Sequence, residues 1–409
     1  MKKRSTCCFL LLVLAGLMTG CNNGTSKATM AKPDHPGTDS ADYRFQMGIN
    51  LNEQVDVADM QDMRDSETKW IRCFVEVIDL YKAGTLETDA KIAAFNRLKS
   101  QGYHTALSLK FNFLKNGFPA KGSTDWNNYF GFINTLLDKV MPYTDVLIVG
   151  NEPFIEAAPA TWNEPLNSFY KQACDRVHVY FEQKGIRKPV FLGAFDNLYL
   201  SGRQSNAGYV NLLAFARGAD YLAGVDLHIH HSSQADMAEA LRYAAGSIRE
   251  DQHLLVTEFS LMKYWKSYNN SDIAPAFMAA ARTSATDSIF VPPADITKNY
   301  QYIDYALKNP RPAQEWYAFW ENSPYLAAKS NYLCTARAAF KNTGKVYLSF
   351  YALRQSYPLH TDFTADTDPW VLNALFMNRS VQQINGRNQK SYRFLDQFIK
   401  IANNENPCQ

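Results

Sequence analysis

The chain has 409 residues, 46% of them hydrophobic and 13% aromatic, enough apolar material for a large core and a composition that excludes a disordered or fibrous protein. The formal net charge is +2, but Lys2, Lys3 and Arg4 belong to a leader of removable type, so the remainder carries 42 − 3 = 39 basic residues against 40 acidic ones. No basic block survives in that remainder, which excludes a nucleic-acid footprint.

The three basic residues precede an apolar run over 8–18, too short to cross a bilayer and of signal-peptide form. The run ends Leu17-Met-Thr-Gly-Cys21, which resembles a bacterial lipoprotein signal. On that resemblance residues 1–20 are removed, Cys21 is lipidated, and the protein is exported and anchored to a membrane, on the periplasmic or the outer face. Residues 21–43 then form the lipidated cysteine and a polar tether rich in Lys, Pro, Gly and Ser. Cys73, Cys174, Cys334 and Cys408 remain; export permits a disulfide, but no spacing argues for one.

From residue 44 onward strand and helix patterns alternate. Strands are predicted at Arg44–Asn50, Lys69–Val75, His104–Lys110, Asp145–Gly150, Pro189–Ala194, Gly224–His230, His253–Thr257 and Glu315–Trp320. Amphipathic helices are expected between most of them, over 87–101, 126–141, 160–184, 209–217 and 234–248. A last barrel helix is read over 331–355. Eight strands alternating with helices, without a nucleotide-type glycine turn, predict an α/β fold of the closed (β/α)8 TIM-barrel kind over 44–409. A doubly wound open sheet is the alternative.

In such a barrel the strand C-termini line the active site. Asn151 and Glu152 follow the fourth strand in Gly150-Asn-Glu-Pro153, His228 and His230 end the sixth, and Glu258 ends the seventh. Trp320 closes the predicted eighth, and Arg72 lies within the second. Charged side chains are costly in a core unless paired, so their arrival at one end of a barrel points to chemistry. Two carboxyl groups held about 5 Å apart can cleave a glycosidic bond with retention, one attacking the anomeric carbon and one protonating the leaving oxygen. A cation near the nucleophile and desolvation of the acid would push their pKa values apart, leaving the acid protonated near pH 6.

This arrangement resembles the glycoside hydrolases of clan A, over roughly residues 44–355. The resemblance implies Glu152 as acid/base and Glu258 as nucleophile. It implies Asn151 as the amide that binds the sugar 2-hydroxyl and Arg72 as the arginine that keeps the nucleophile ionised. It implies His228 as the histidine near the acid/base, Trp320 as the aromatic floor under the sugar, and no cofactor. Two departures stand out: His230 occupies the place of the clan's usual Tyr, and Ser260 stands where Gly is common.

Other features bear on the reading. His228-Ile-His230-His231 could hold a metal, but metal-dependent amidohydrolase barrels put such a pair on the first strand, and Phe45-Gln-Met-Gly-Ile-Asn50 contains no His; no metal is expected. The segment 260–313 reads as an insertion between strands 7 and 8 whose Tyr264 and Trp265 wall the cleft. Residues 361–409 read as a C-terminal extension packed on the barrel. The expected function is a retaining β-glycosidase acting on a polysaccharide or oligosaccharide. The alternatives are a noncatalytic glycan-binding lipoprotein on the same barrel and, further off, a metal-dependent hydrolase.

Overall fold

A computed structural model describes residues 44–51, 55–283, 293, 295–355 and 362–406; the expected leader, Cys21 and the tether lie outside these residues. Eight strands, β1 (Gln46–Asn50), β2 (Trp70–Glu76), β3 (His104–Lys110), β4 (Val146–Val149), β5 (Val190–Asp196), β6 (Gly224–His230), β7 (His253–Ser260) and β8 (Val346–Ala352), close into a barrel in chain order. Each is parallel to the next, and β8 pairs with β1. The strands read as near-continuous apolar runs because helices cover them outside and side-chain layers fill them inside. All residues of β4 (VLIV) and β8 (VYLSFYA) are buried.

The helices follow from amphipathic spacing and clear ends. Thr124–Val140 starts at Ser123, whose hydroxyl accepts from the Trp126 amide, and buries Trp126, Tyr129, Phe130, Ile133, Leu136, Leu137 and Val140 against the barrel. Among the described residues no helix is long and apolar enough to cross a membrane.

Seven strands lie where the sequence places them; the eighth does not. Glu315–Trp320 belongs to a helix, Ala313–Asn322, that buries Trp316, Phe319 and Trp320. The spacing i, i+3, i+4 is helical, and an aromatic-rich run of six residues hides it by fitting either period. β8 instead lies inside the expected last helix. Gly344, at φ +62°, ends the helix Tyr332–Asn342, and the run Val346–Ala352 begins at once.

This shift corrects two expectations and leaves a third standing. The segment between β7 and β8 runs over 261–345, beyond the expected 260–313. The chain after β8 packs on the barrel as expected, its helix Phe394–Ala402 lying against β1 and Tyr332–Asn342. Trp265 and Trp320 are both 0% exposed and meet edge to face at 5.9 Å, with Phe394 against both and Tyr392 stacked on Trp320. Neither reaches a cleft. They form the core that joins the segment to the barrel.

Cys73 and Cys174 are free and buried, whereas Cys334 is disulfide-bonded, a bond that no cysteine spacing announced.

Removing a buried Trp costs about 3–5 kcal/mol. Trp265→Ala and Trp320→Ala are therefore expected to lower the denaturation midpoint strongly in urea unfolding. An unchanged midpoint would place these rings outside the core.

Candidate active site

The mouth of the barrel is assembled by local backbone devices. β4 ends at Gly150, whose φ of +112° turns the chain; a Cβ there would lie 2.0 Å from the Gly193 carbonyl oxygen, so only glycine fits. The turn delivers Asn151 and Glu152 to the mouth. Phe154 then anchors the loop by stacking on Tyr209 at 3.6 Å, and the amides of Ile155 and Glu156 return to the Glu152 carbonyl at 3.0 and 2.8 Å.

Between β6 and β7 the register shifts: Leu227 pairs with Val256, but His228 pairs with Glu258. The irregularity leaves Thr257 outside the regular ladder, and the buried Asp226 carboxylate takes up its amide at 3.0 Å and its hydroxyl at 2.6 Å. Such irregularities re-aim side chains near active sites. Here His228 and Glu258 become neighbours across the sheet.

Arg72, 0% exposed, lies beneath the mouth. Its guanidinium donates to Ser108 Oγ (3.1 Å), Asn50 Oδ1 (3.1 Å), Glu258 Oε1 (2.7 Å) and Asn151 Oδ1 (2.5 Å). His228 stands between the carboxylates, with Nδ1 2.9 Å from Glu152 Oε1 and Nε2 3.8 Å from Glu258 Oε1. His230 Nε2 lies 3.9 Å from Glu258 Oε2, while its Nδ1 meets Ser260 Oγ at 2.8 Å.

Glu152 and Glu258, each with a side chain 20% exposed, face a cavity of about 240 Å3 together with Asn50, Asn151, Lys110 and His230. The residues after β8 add Gln355, Trp370 and Asn373 to its wall, beside Phe74, Phe259, Phe350 and Ala352. Trp370 meets the His230 ring edge-on at 4.9 Å. The aromatic side chain expected from strand 8 is thus Trp370, not Trp320. The wall expected from Trp265 likewise comes from this segment. Asp196, at the end of β5, binds Tyr209 at 2.5 Å and Arg203 at 3.4 Å.

The electrostatics favour the ionised form of both carboxyl groups. Burial would raise Glu258, but the charges of His228 and Arg72 outweigh it and hold the group down at about 2. Burial also opposes a low value for Glu152, yet the hydrogen bond and charge of His228 hold it below the usual carboxylate range. His228 is the converse. Burial disfavours its imidazolium, but Glu258 and then Glu152 lift it to about 9.

The expected desolvated, protonated acid is therefore replaced by a pair sharing one proton. The hydrogen bonds give the same answer. Thr257 Oγ1 donates to Asp226 and accepts from His228 Nε2 at 3.0 Å. With Nε2–H fixed, one further proton lies between Nδ1 and Glu152.

Glu152, His228 and His230 offer ligand atoms within 4.8 Å of one another. In this structure His228 Nδ1 is instead engaged with Glu152 and Nε2 with Thr257.

Asp226, Thr257, Glu156 and Trp370 escape the sequence reading. Asp226 and Thr257 look like ordinary strand residues, because a register shift has no local signature. Trp370 is recognisable only once β8 is moved to Val346–Ala352.

No protein-family model matches the chain, and no curated protein matches it. Among solved structures, a GH1 β-glucosidase from Exiguobacterium antarcticum aligns with a TM-score of 0.49 at 8% identity, over 89% of this chain and 98% of that one. Xylanase 10B from Thermotoga maritima aligns with a TM-score of 0.47 at 11% identity, over 89% and 98%. A GH26 β-(1,4)-mannanase from Podospora anserina aligns with a TM-score of 0.37 at 8% identity, and the match spans 54% of each chain. At such scores the chemistry has to be read from the site itself.

The shared proton is directly observable. In 15N NMR of the imidazoles, His228 is expected to keep both nitrogens protonated, or one protonated and one strongly hydrogen-bonded, until pH rises through about 9. Titration near the ordinary value of about 6.5 would show that Glu258 and Glu152 do not hold its proton.

Proposed function

We propose that this chain is a retaining glycoside hydrolase that cleaves β-glycosidic bonds of a polysaccharide or oligosaccharide by double displacement. The observation that carries the reading is the charge arrangement: one carboxylate pinned ionised by a buried arginine, the other sharing a proton with an imidazole, both facing one cavity. A noncatalytic glycan-binding barrel has no use for two carboxyl groups in one cavity, one bound to a buried arginine and the other sharing a proton with an imidazole.

In the first step a Glu258 oxygen attacks the anomeric carbon as the bond to the leaving oxygen breaks. That oxygen takes the pair's proton from Glu152. As Glu258 becomes an ester its charge disappears, and with it the largest support of the His228 cation. The pair releases its proton most readily at that moment. In the second step Glu152, now without the shared proton, takes one from a water whose oxygen attacks the anomeric carbon, and the ester bond to Glu258 breaks and frees its carboxylate. Arg72 stays bonded to Asn50, Asn151 and Ser108 throughout, so it is never stranded.

Asn151 is placed to hold the sugar 2-hydroxyl and Trp370 to stack on the ring. His230, beside Glu258, takes the place where clan A usually has Tyr. Export and lipidation at Cys21 are part of the same proposal, supported by the leader sequence and by the disulfide at Cys334.

The test is hydrolysis of a panel of β-glucans, β-mannans, xylan and galactans, with product sizing, alongside activated aryl glycosides. Glu258→Gln is expected to lose at least about a thousandfold on every substrate. Glu152→Gln should lose heavily on natural linkages and little on aryl glycosides with good leaving groups, whose first step needs no proton. Equal losses on both substrate types would contradict the assigned roles. Trp370→Ala removes a contact of about 0.5–1.5 kcal/mol, so a two- to tenfold lower kcat/KM with an unchanged melting temperature is expected.

A further inference from the structure

Glu156 lies four residues beyond Glu152, and the turn that closes on the Glu152 carbonyl folds it back beneath the mouth. It is buried, and its Oε1 accepts from Asn151 Nδ2 at 2.8 Å. The same oxygen lies 3.6 Å from Lys110 Nζ, the ammonium that sits 4.5 Å over the Phe74 ring on the cavity wall. Its other oxygen has no hydrogen-bond partner among the described residues.

A primary amide has one oxygen and two N–H groups. The Asn151 oxygen accepts from Arg72 and one N–H donates to Glu156, so both ends are held. What remains is one N–H, on a side chain that lines the cavity. Arg72 alone fixes where the oxygen sits. Glu156 adds the second point that sets the plane of the amide, and so the direction of the remaining N–H.

We propose that Glu156 is the positioning residue that aims the Asn151 amide at the sugar 2-hydroxyl; this rests on the glycosidase reading above. Interactions at the 2-hydroxyl strengthen towards the transition state, so the effect belongs in kcat more than in KM. Burial, with the Lys110 charge opposing it, pushes the Glu156 carboxyl up to about 7. Its role as acceptor survives protonation, because the neutral acid keeps a carbonyl oxygen for Asn151.

The experiment compares an aryl β-glycoside with its 2-deoxy analogue in the wild type, Glu156→Met, Glu156→Gln, Asn151→Ala and the double variant Asn151→Ala/Glu156→Met. The quantity read is the ratio of kcat/KM for the two substrates, which does not depend on how much of a variant folds. Glu156→Met is expected to lower that ratio by about ten- to a hundredfold, the loss falling on kcat. Glu156→Gln, which still offers an oxygen, should recover most of it. In the Asn151→Ala background Glu156→Met should change the ratio by less than about twofold, since coupled residues are non-additive.

An unchanged ratio in Glu156→Met, or a full further loss in the double variant, would overturn the inference. Failure of the glycosidase reading looks different: the wild type would turn over neither substrate.

Discussion

A guanidinium with no exposed surface must be hydrogen-bonded on nearly every N–H, or the barrel would be better off without it. Arg72 meets that demand with four partners drawn from β1, β3, the end of β4 and β7. Three of them, Asn50, Asn151 and Glu258, line the cavity. Satisfying one buried charge therefore fixes the positions of the amide and the carboxylate that a substrate would meet. Preorganisation of this kind requires rigid elements rather than loops, and the strand ends of the barrel provide them.

The second constraint is proton bookkeeping around His228. Asp226 takes up the amide and hydroxyl of Thr257, the residue left out of the ladder by the register shift. Thr257 then orients His228, and His228 shares a proton with Glu152. A feature of strand geometry is thus carried through three side chains to Glu152. Glu258 lies close enough to support the His228 cation, so the two carboxyl groups sense each other's charge through one ring.

Most of the barrel could be read in the sequence because parallel strands buried on both faces are short runs of aliphatic residues, hard to mistake when helices separate them. The eighth strand was hidden by its aromatic content: Glu315–Trp320 and Val346–Ala352 are both short, apolar and ring-rich, and only helical spacing in the first and the Gly344 break before the second tell them apart. With the eighth strand read at Glu315–Trp320, Trp320 becomes a site residue and the segment after β8 shows no link to the cavity. That reading also hides Trp370. The polar site residues suffered less, since Arg72, Asn151, Glu152, His228, His230 and Glu258 all lie on or next to strands that were placed correctly. Glu156 escaped for a different reason. Its importance comes from a turn that folds it back under Asn151, and nothing in Asn151-Glu-Pro-Phe-Ile-Glu156 distinguishes it from a loop carboxylate on the surface.

The central claim is that Glu258, held ionised by Arg72, forms a bond to the sugar. An activated 2-deoxy-2-fluoro glycoside slows breakdown of such an intermediate more than its formation, so the most direct measurement is intact-protein mass spectrometry after incubation with these reagents, followed by peptide mapping. The account predicts one added fluoroglycosyl group, carried on Glu258, absent in Glu258→Gln and released on adding an acceptor sugar. Substrate turnover with inversion at the anomeric carbon, or a label on any other residue, would contradict it.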